Sequence, residues 1–157
     1  EKVLNNHVNV KMLFVGDGPT KGATEALVGK LGLIHNVVFL GQQENVAPYY
    51  KIADVTLLTS KTESFPLVLL ESAREKTPVI TTDVGGVQMM IPDRTYSTIL
   101  VNDVVDDIVN GIKHAIEFKS NGKLEEMGAK FHDYTSQNFS IEAFADSVYK
   151  GYKGFLS

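Results

Sequence analysis

Ala53-Asp54-Val55-Thr56-Leu57-Leu58-Thr59-Ser60-Lys61-Thr62-Glu63-Ser64-Phe65-Pro66-Leu67-Val68-Leu69-Leu70-Glu71 runs on through Ser72-Ala73-Arg74-Glu75-Lys76-Thr77 to Pro78-Val79-Ile80-Thr81-Thr82-Asp83-Val84-Gly85-Gly86. The rest of the chain is organised around this stretch. Two short apolar runs lie in it, Val55–Leu58 and Pro78–Thr81. Both are β-branched and neither alternates with polar residues, which marks buried parallel strands. Between them the pattern predicts a polar loop, Thr59 to Ser64, and a helix from about Pro66 to Lys76, with Pro66 suited to the first helical position. In open α/β sheets a ligand lies outside the carboxyl ends of the strands, so this loop and the helix start after it should line a site.

Two acids mark that site. Glu63 stands in the loop and Glu71 in the helix, and a helical rise of about 1.5 Å per residue lets both carboxylates point into one cleft. The backbone N–H groups of Leu67 and Val68, in the first turn, offer donors and partial positive charge to a phosphate or a sugar oxygen. Donors beside two acceptors suit a ligand with anionic and hydroxyl parts, such as a sugar nucleotide. A solvated loop acid and a helix-surface acid would be the bland alternative, yet Glu71 stands among Leu69, Leu70 and Ala73. Paired carboxyls also serve glycoside hydrolysis, but the residues between these two read as a phosphate-facing helix start. Gly85 and Gly86 permit a close backbone approach to a donor sugar, and a plain tight turn explains them nearly as well.

ESFPLVLLE over Glu63–Glu71 and PVITTDVGG over Pro78–Gly86 together resemble the retaining glycosyltransferases of family 4, also called group 1, which have the GT-B fold. The E-x7-E spacing, an aromatic after the first acid and Leu-Leu before the second carry the resemblance. It extends to Phe14-Val15-Gly16-Asp17-Gly18-Pro19, Val38-Phe39-Leu40-Gly41 and Tyr49-Tyr50-Lys51-Ile52-Ala53-Asp54-Val55, covering about residues 10 to 117.

The resemblance implies an α/β chain, a Rossmann-like doubly wound parallel sheet with C-terminal helices. This would be one half of a GT-B fold, lacking its first strand. Residues 1–157 are then expected to form a single domain, the C-terminal nucleotide-sugar-binding domain of a longer glycosyltransferase, truncated on its N-terminal side. By the same resemblance Glu63 is the catalytic acid position and binds a donor-sugar hydroxyl, and Glu71 binds the nucleotide ribose. Ser64, Phe65, Pro66, Leu67, Val68, Gly85, Gly86, Gly16 and Gln42 complete the expected donor-binding set, with Gln42 beside the nucleobase. No metal and no cofactor is implied; the substrate is a UDP- or GDP-linked sugar.

The chain also departs from the family pattern. Ser64 and Pro66 stand where many members have glycine, and Pro66 has no N–H to give. Met89 stands where an acid is frequent, and Lys76-Thr77 replaces a glycine-containing turn. The family's opening strand, with a turn carrying an Arg and a Lys for the donor diphosphate, has no counterpart before Val10.

With 43% apolar and 22% charged residues in 157, the composition is that of a globular domain able to bury a core. A net charge of −4 gives no footprint for nucleic acid. The absence of cysteine excludes disulfides and thiolate metal sites, and fits a reducing compartment. His7, His35, His114 and His132 are scattered without ligand spacing. No signal peptide and no apolar run near membrane-spanning length is read in these residues, so the chain is not expected to span a membrane.

In chain order, Glu1–Asn9 reads as a polar lead-in. A strand follows at about Val10–Val15, then a helix at Lys21–Leu33 with Ala26, Leu27, Leu31 and Leu33 as its apolar side. A strand at Val37–Leu40 and a short helix at Asn45–Ile52 lead into the stretch quoted above. The Gly16-Asp17-Gly18-Pro19-Thr20-Lys21-Gly22 turn has three readings: turn chemistry alone, backbone near a donor, or a dinucleotide fingerprint whose third glycine comes one position late. After Gly86 the pattern predicts a helix at Val87–Ile91, a strand at Thr98–Val101, and helices through Val105–Ile116 and Lys123–Tyr134. Ser140 is placed to cap a last helix, with Phe139 against Phe144 as a hydrophobic staple. Tyr149, Tyr152 and Phe155 on that helix pack on the sheet or reach a neighbouring domain.

The expected function is transfer of a sugar from a nucleotide diphosphate donor to an acceptor hydroxyl with retention, by a parent whose N-terminal domain binds a glycan or lipid-linked acceptor. The chain alone is expected to be inactive. The expected location is cytoplasmic, with peripheral association at the inner membrane face in the full-length protein. Two other classes stay open: a Rossmann-like interaction module without catalysis, and a sugar-nucleotide epimerase of the same architecture.

Overall fold

The structure is a computed structural model, and it describes residues 2–4, 10–100 and 105–155. Most of the expected lead-in (Glu1 and Asn5–Asn9) and the end of the last expected strand, Val101, lie outside them. The chain divides into two compact units, Glu1–Pro48 and Tyr49–Ser157.

In the first unit, β1 (Met12–Val15) and β2 (Val37–Gly41) pair in parallel, with Met12 opposite Val37 and Phe14 opposite Phe39. The Phe14 and Phe39 rings stack at 5.0 Å. Gly16 follows β1 at φ +125° and donates its N–H to the Gly41 carbonyl at 2.7 Å. Helix α1 is shorter than expected, Lys21–Lys30, and none of its residues is buried. Leu27 and Leu31, expected on an apolar packing side, are 52% and 40% exposed. A two-stranded ribbon offers too little surface to cover a helix face.

The second unit begins within α2 (Ala47–Ile52) and builds a three-stranded parallel sheet in the order β3 (Thr56–Leu58), β4 (Val79–Thr82), β5 (Ser97–Leu100). All four residues of β4 are buried, as the non-alternating Val79-Ile80-Thr81-Thr82 predicts for a central strand. Successive residues of β4 feed opposite faces. Val79 packs in one core with Leu69, Ala73, Val87, Met90, Ile91 and Phe131, and Ile80 in another with Ala115 and Leu124. Helices α3 (Leu67–Arg74), α4 (Val87–Met90), α5 (Val105–Ser120) and α6 (Lys123–Asn138), with Ile91 capping α4, supply the residues packed on β4. The sheet is covered on both faces, which is the doubly wound arrangement.

Helix α3 begins one residue later than predicted. Pro66 is its N-cap, at ψ 100°, and not its first helical residue, because its carbonyl closes the first turn with Leu69 N–H at 3.0 Å. The helix ends at Arg74, two residues short of Lys76. Lys76 N–H reaches the Ala73 carbonyl at 2.9 Å and Thr77 N–H the Ser72 carbonyl at 3.0 Å, which together form a Schellman motif. Lys76 itself sits at φ +60°, a conformation that ordinarily goes to glycine. An L-residue there is strained by about 1–2 kcal/mol, and glycine gives back about 0.5–1 kcal/mol in unfolded-state entropy. Lys76→Gly, at an exposed position, is therefore expected to stabilise the chain by up to ~1 kcal/mol, read as a higher urea midpoint at constant slope. A lower midpoint would show that the αL geometry carries no strain.

The last helix, α7, spans Ile141–Phe155. Ser140 caps it as predicted, its Oγ accepting from Ala143 N–H at 3.1 Å. The predicted staple does not form. Phe144 is 70% exposed, and Phe139 turns its ring to Phe65 at 5.9 Å and Tyr134 at 6.1 Å. Tertiary aromatic partners compete successfully with the local one. Tyr149 and Tyr152 do not pack on the sheet, being 58% and 69% exposed; the side chain of Phe155 lies outside the described set.

Candidate functional site

The loop that follows β3 at its carboxyl end is held by the loop that follows β4. Thr82 Oγ1 donates to the Ser60 carbonyl at 2.6 Å, and Gly86 N–H donates to the Glu63 carbonyl at 3.1 Å. A Cβ on Gly85, which sits at φ +53°, would lie 1.7 Å from the Glu63 carbonyl oxygen. One on Gly86 would lie 2.1 Å from that of Ser64. The close backbone approach expected of these glycines is thus made to the chain's own Glu63 and Ser64. Thr62, Glu63, Ser64 and Phe65 line a cavity of about 380 Å³. Phe65, half exposed, anchors the end of this loop against Phe139.

Pro66 is buried, Val68 half-buried and Leu67 61% exposed. The first-turn N–H groups of Leu67 and Val68 precede the first turn-closing bond of α3, and the helix dipole adds partial positive charge there.

Glu71 is the fifth residue of α3 and does not line the cavity formed by Thr62–Phe65. Its Oε2 accepts a hydrogen bond from the Tyr50 hydroxyl at 2.9 Å. Burial first, and then the carboxylate beside it, push the Tyr50 phenol well above the ordinary tyrosine range, so that the phenol remains the donor. A chain of hydroxyls fixes the surroundings. Thr77 Oγ1 donates to the Tyr50 carbonyl at 2.8 Å, Ser72 Oγ donates to the Thr77 carbonyl at 2.8 Å, and Ser72 Oγ meets Thr56 Oγ1 at 2.7 Å. Ser72 and Thr77 are buried, and each hydroxyl is satisfied.

Sequence reasoning did not single out Tyr50 or Ser72, and noted Thr77 only as part of a turn that departs from the family pattern. Tyr50 entered only within a segment of family resemblance, and nothing in local spacing joins it to a glutamate 21 residues on. Asp83, at the carboxyl end of β4, accepts from Gln88 Nε2 at 2.8 Å through Oδ2, while its buried Oδ1 has no partner among the described residues.

Two expected site residues belong to the first unit. At Gly16 a Cβ would meet nothing within 4 Å, so its positive φ, and not crowding, is what calls for glycine. Gln42 is exposed just after β2. Asp17 Oδ1 accepts from Gly18 N–H at 2.8 Å, and its other oxygen lies 3.5 Å from Lys21 Nζ. Among the described residues no helix is long and apolar enough to cross a membrane.

Comparison with known proteins gives relatives in keeping with this arrangement. The chain is 45% identical over 84 residues to the N-acetyl-alpha-D-glucosaminyl L-malate synthase of Bacillus anthracis, a match covering 54% of this chain and 22% of that protein. Among solved structures it resembles Anabaena Alr3699/HepE in complex with UDP, with a TM-score of 0.81 at 20% identity over 92% of this chain and 41% of that one. It also resembles the C-terminal domain of the glycosyl transferase group 1 family protein LpcC from Francisella tularensis, with a TM-score of 0.76 at 21% identity over 89% of this chain and 75% of that one. These likenesses establish the fold, a Rossmann-like α/β half of the GT-B architecture. The chain spans 22% of the length of the Bacillus relative. A family model described as glycosyl transferases group 1 matches residues 1–135, and the chain belongs to that family.

Proposed function

We propose that the chain is the donor-binding, C-terminal domain of a retaining, family 4 hexosyltransferase. The observation that carries this reading is the pinning of the Glu63–Ser64 backbone by Gly85 and Gly86 beside the start of α3. It holds an acid and a turn of free N–H groups at the carboxyl ends of β3 and β4, where α/β sheets bind nucleotides. The UDP in the similar Anabaena structure supports a nucleotide-sugar donor, UDP- or GDP-linked. The likeness to an excised C-terminal domain supports a place in a longer chain.

In this proposal Glu63 binds a hydroxyl of the transferred sugar and holds it against the leaving group. Leu67 and Val68 N–H groups face the diphosphate, with Ser64, Phe65 and Pro66 shaping the approach. As the anomeric bond breaks, negative charge grows on the leaving diphosphate, and donors already aimed at it stabilise that charge without reorganising. Glu71 takes the ribose hydroxyls. No cofactor beyond the donor enters. The acceptor, a glycan or lipid-linked hydroxyl, binds a domain outside this chain, so the chain alone is inactive and the parent works in the cytoplasm, at the inner membrane face.

The test is a titration of the chain with UDP, GDP and their glucose and mannose conjugates, followed by amide NMR, with Glu71→Ala alongside. Shifts clustered at Phe65–Glu71 and lost in the variant are expected, with binding no tighter than about millimolar, or ~4 kcal/mol. If the full-length protein shows no shifts with any of these ligands, the proposal is wrong.

A further inference from the structure

The geometry points to Tyr50 as the residue that positions Glu71 for the ribose hydroxyls of the donor nucleotide, acting through the carboxylate and not on the ligand. This rests on the reading of Glu71 given under the proposed function.

A glutamate on a helix side has three rotatable bonds, and its carboxylate sweeps a wide arc unless something holds it. Here the hold is specific. The Tyr50 hydroxyl donates to Oε2 at 2.9 Å. Tyr50 is itself anchored at its backbone, where the carbonyl accepts from Thr77 Oγ1 at 2.8 Å and from Ala53 N–H at 3.0 Å. Ser72, the residue after Glu71, is tied to Thr56 and to the Thr77 carbonyl. The carboxylate is thus fixed from the helix side by Ser72 and from the tip by Tyr50. Only the Tyr50 bond reaches the carboxylate itself; the Ser72 bonds hold the helix that carries it.

The division of donors and acceptors gives the chemistry. An ionised carboxylate only accepts, through about four lone-pair directions. Tyr50 fills one on Oε2, leaving Oε1 and the second lone pair of Oε2 for a ligand. What completes the group must donate, and a vicinal diol donates twice at the spacing of two carboxylate oxygens. A nucleotide without those hydroxyls has nothing to gain from the orientation that Tyr50 imposes.

The experiment measures Kd calorimetrically for UDP and for 2′,3′-dideoxyuridine 5′-diphosphate, using the whole protein that carries this chain. Wild type, Tyr50→Phe, Glu71→Gln and the double variant are compared, and GDP with its dideoxy analogue replaces the uridine pair if guanine is the base preferred. Tyr50→Phe keeps the ring and its packing, and melting temperatures within a few degrees verify the fold. Expected is a roughly tenfold weakening of UDP binding in Tyr50→Phe, the scale of one hydrogen bond to a charged group. Expected too are an unchanged Kd for the dideoxy nucleotide and a double variant no weaker than Glu71→Gln. Equal binding of UDP by wild type and Tyr50→Phe overturns the inference and leaves the donor-site reading standing. Equal losses for both nucleotides also overturn it, since a merely structural tyrosine moves both alike. Wild type that binds neither UDP nor GDP overturns the donor-site reading and this inference with it.

Discussion

Gly85→Ala is expected to weaken donor binding at least about tenfold while leaving most of the chain folded. The new Cβ would stand 1.7 Å from the Glu63 carbonyl oxygen, a backbone atom with no rotamer to move out of the way. The residue also sits at φ +53°, where an L side chain is strained by about 1–2 kcal/mol. Overpacking adds about 1–3 kcal/mol. The strain is relieved most easily by moving the Thr62–Phe65 loop, which belongs to the surface and not to either core. That movement breaks the Gly86–Glu63 hydrogen bond and displaces Glu63 from the cavity it lines. The expected result is a loss of at least about tenfold in affinity for a nucleotide sugar, equivalent to ~1.4 kcal/mol or more, with a melting temperature only moderately lowered. Gly29→Ala is the control. It lies within α1, where a Cβ meets nothing within 4 Å, and helix propensity favours alanine there by about 0.8–1.0 kcal/mol. Unaltered binding by Gly85→Ala would mean that the pinned loop is not part of the site.

The other large effect concerns stability. Phe131 is fully buried and packs in one cluster with Leu69, Ala73, Val79, Val87, Met90 and Ile91, joining α6 to α3, α4 and the central strand. Phe131→Ala removes the largest of the fully buried side chains. It should destabilise the chain by about 3–5 kcal/mol, against a total of about 5–15 kcal/mol for a domain. Chemical denaturation should show the midpoint falling sharply, with much of the protein unfolding near 37 °C. Phe131→Leu, nearer in volume, should cost about 1.5 kcal/mol or less. A loss under about 1 kcal/mol for the alanine variant would show that α6 is peripheral to the core.

The strands of the second unit were legible because a strand buried on both faces needs an unbroken apolar or β-branched run, and Val79-Ile80-Thr81-Thr82 is one. The Ser140 cap was legible for a similar reason: cap and helix start are neighbours in sequence. What sequence did not disclose was which distant segments meet. Gly85 and Gly86 read as room for a ligand or as a plain tight turn, and the atoms closest to them belong to Glu63 and Ser64, more than twenty residues earlier in the chain. Tyr50 and Glu71 share no periodic relation, so their pairing emerges only when α2 and α3 are placed in space. Phe139 chose Phe65 over Phe144 because a ring half covered by tertiary neighbours outcompetes one left in solvent. The apolar spacing of α1 predicts a packing face, and the aromatics of α7 predict packing on the sheet or on a neighbouring domain; amphipathic spacing alone does not say which partner surface exists.

The bonds that tie the Ser72 hydroxyl to Thr56 and Thr77 have a kinetic consequence. A helix seated on apolar contacts alone slides by fractions of an ångström at little cost, because dispersion is non-directional. The bonds from Ser72 to the Thr56 hydroxyl and to the Thr77 carbonyl are directional, and stretching them leaves polar atoms dry. They give α3 a fixed register on β3, and with it a fixed height for Glu71. Adaptation to an incoming ligand is then left to the exposed loop at Thr62–Phe65. If Glu71 takes the ribose as proposed, docking onto it is expected to be fast, and any slow conformational phase in donor binding is expected to come from the loop.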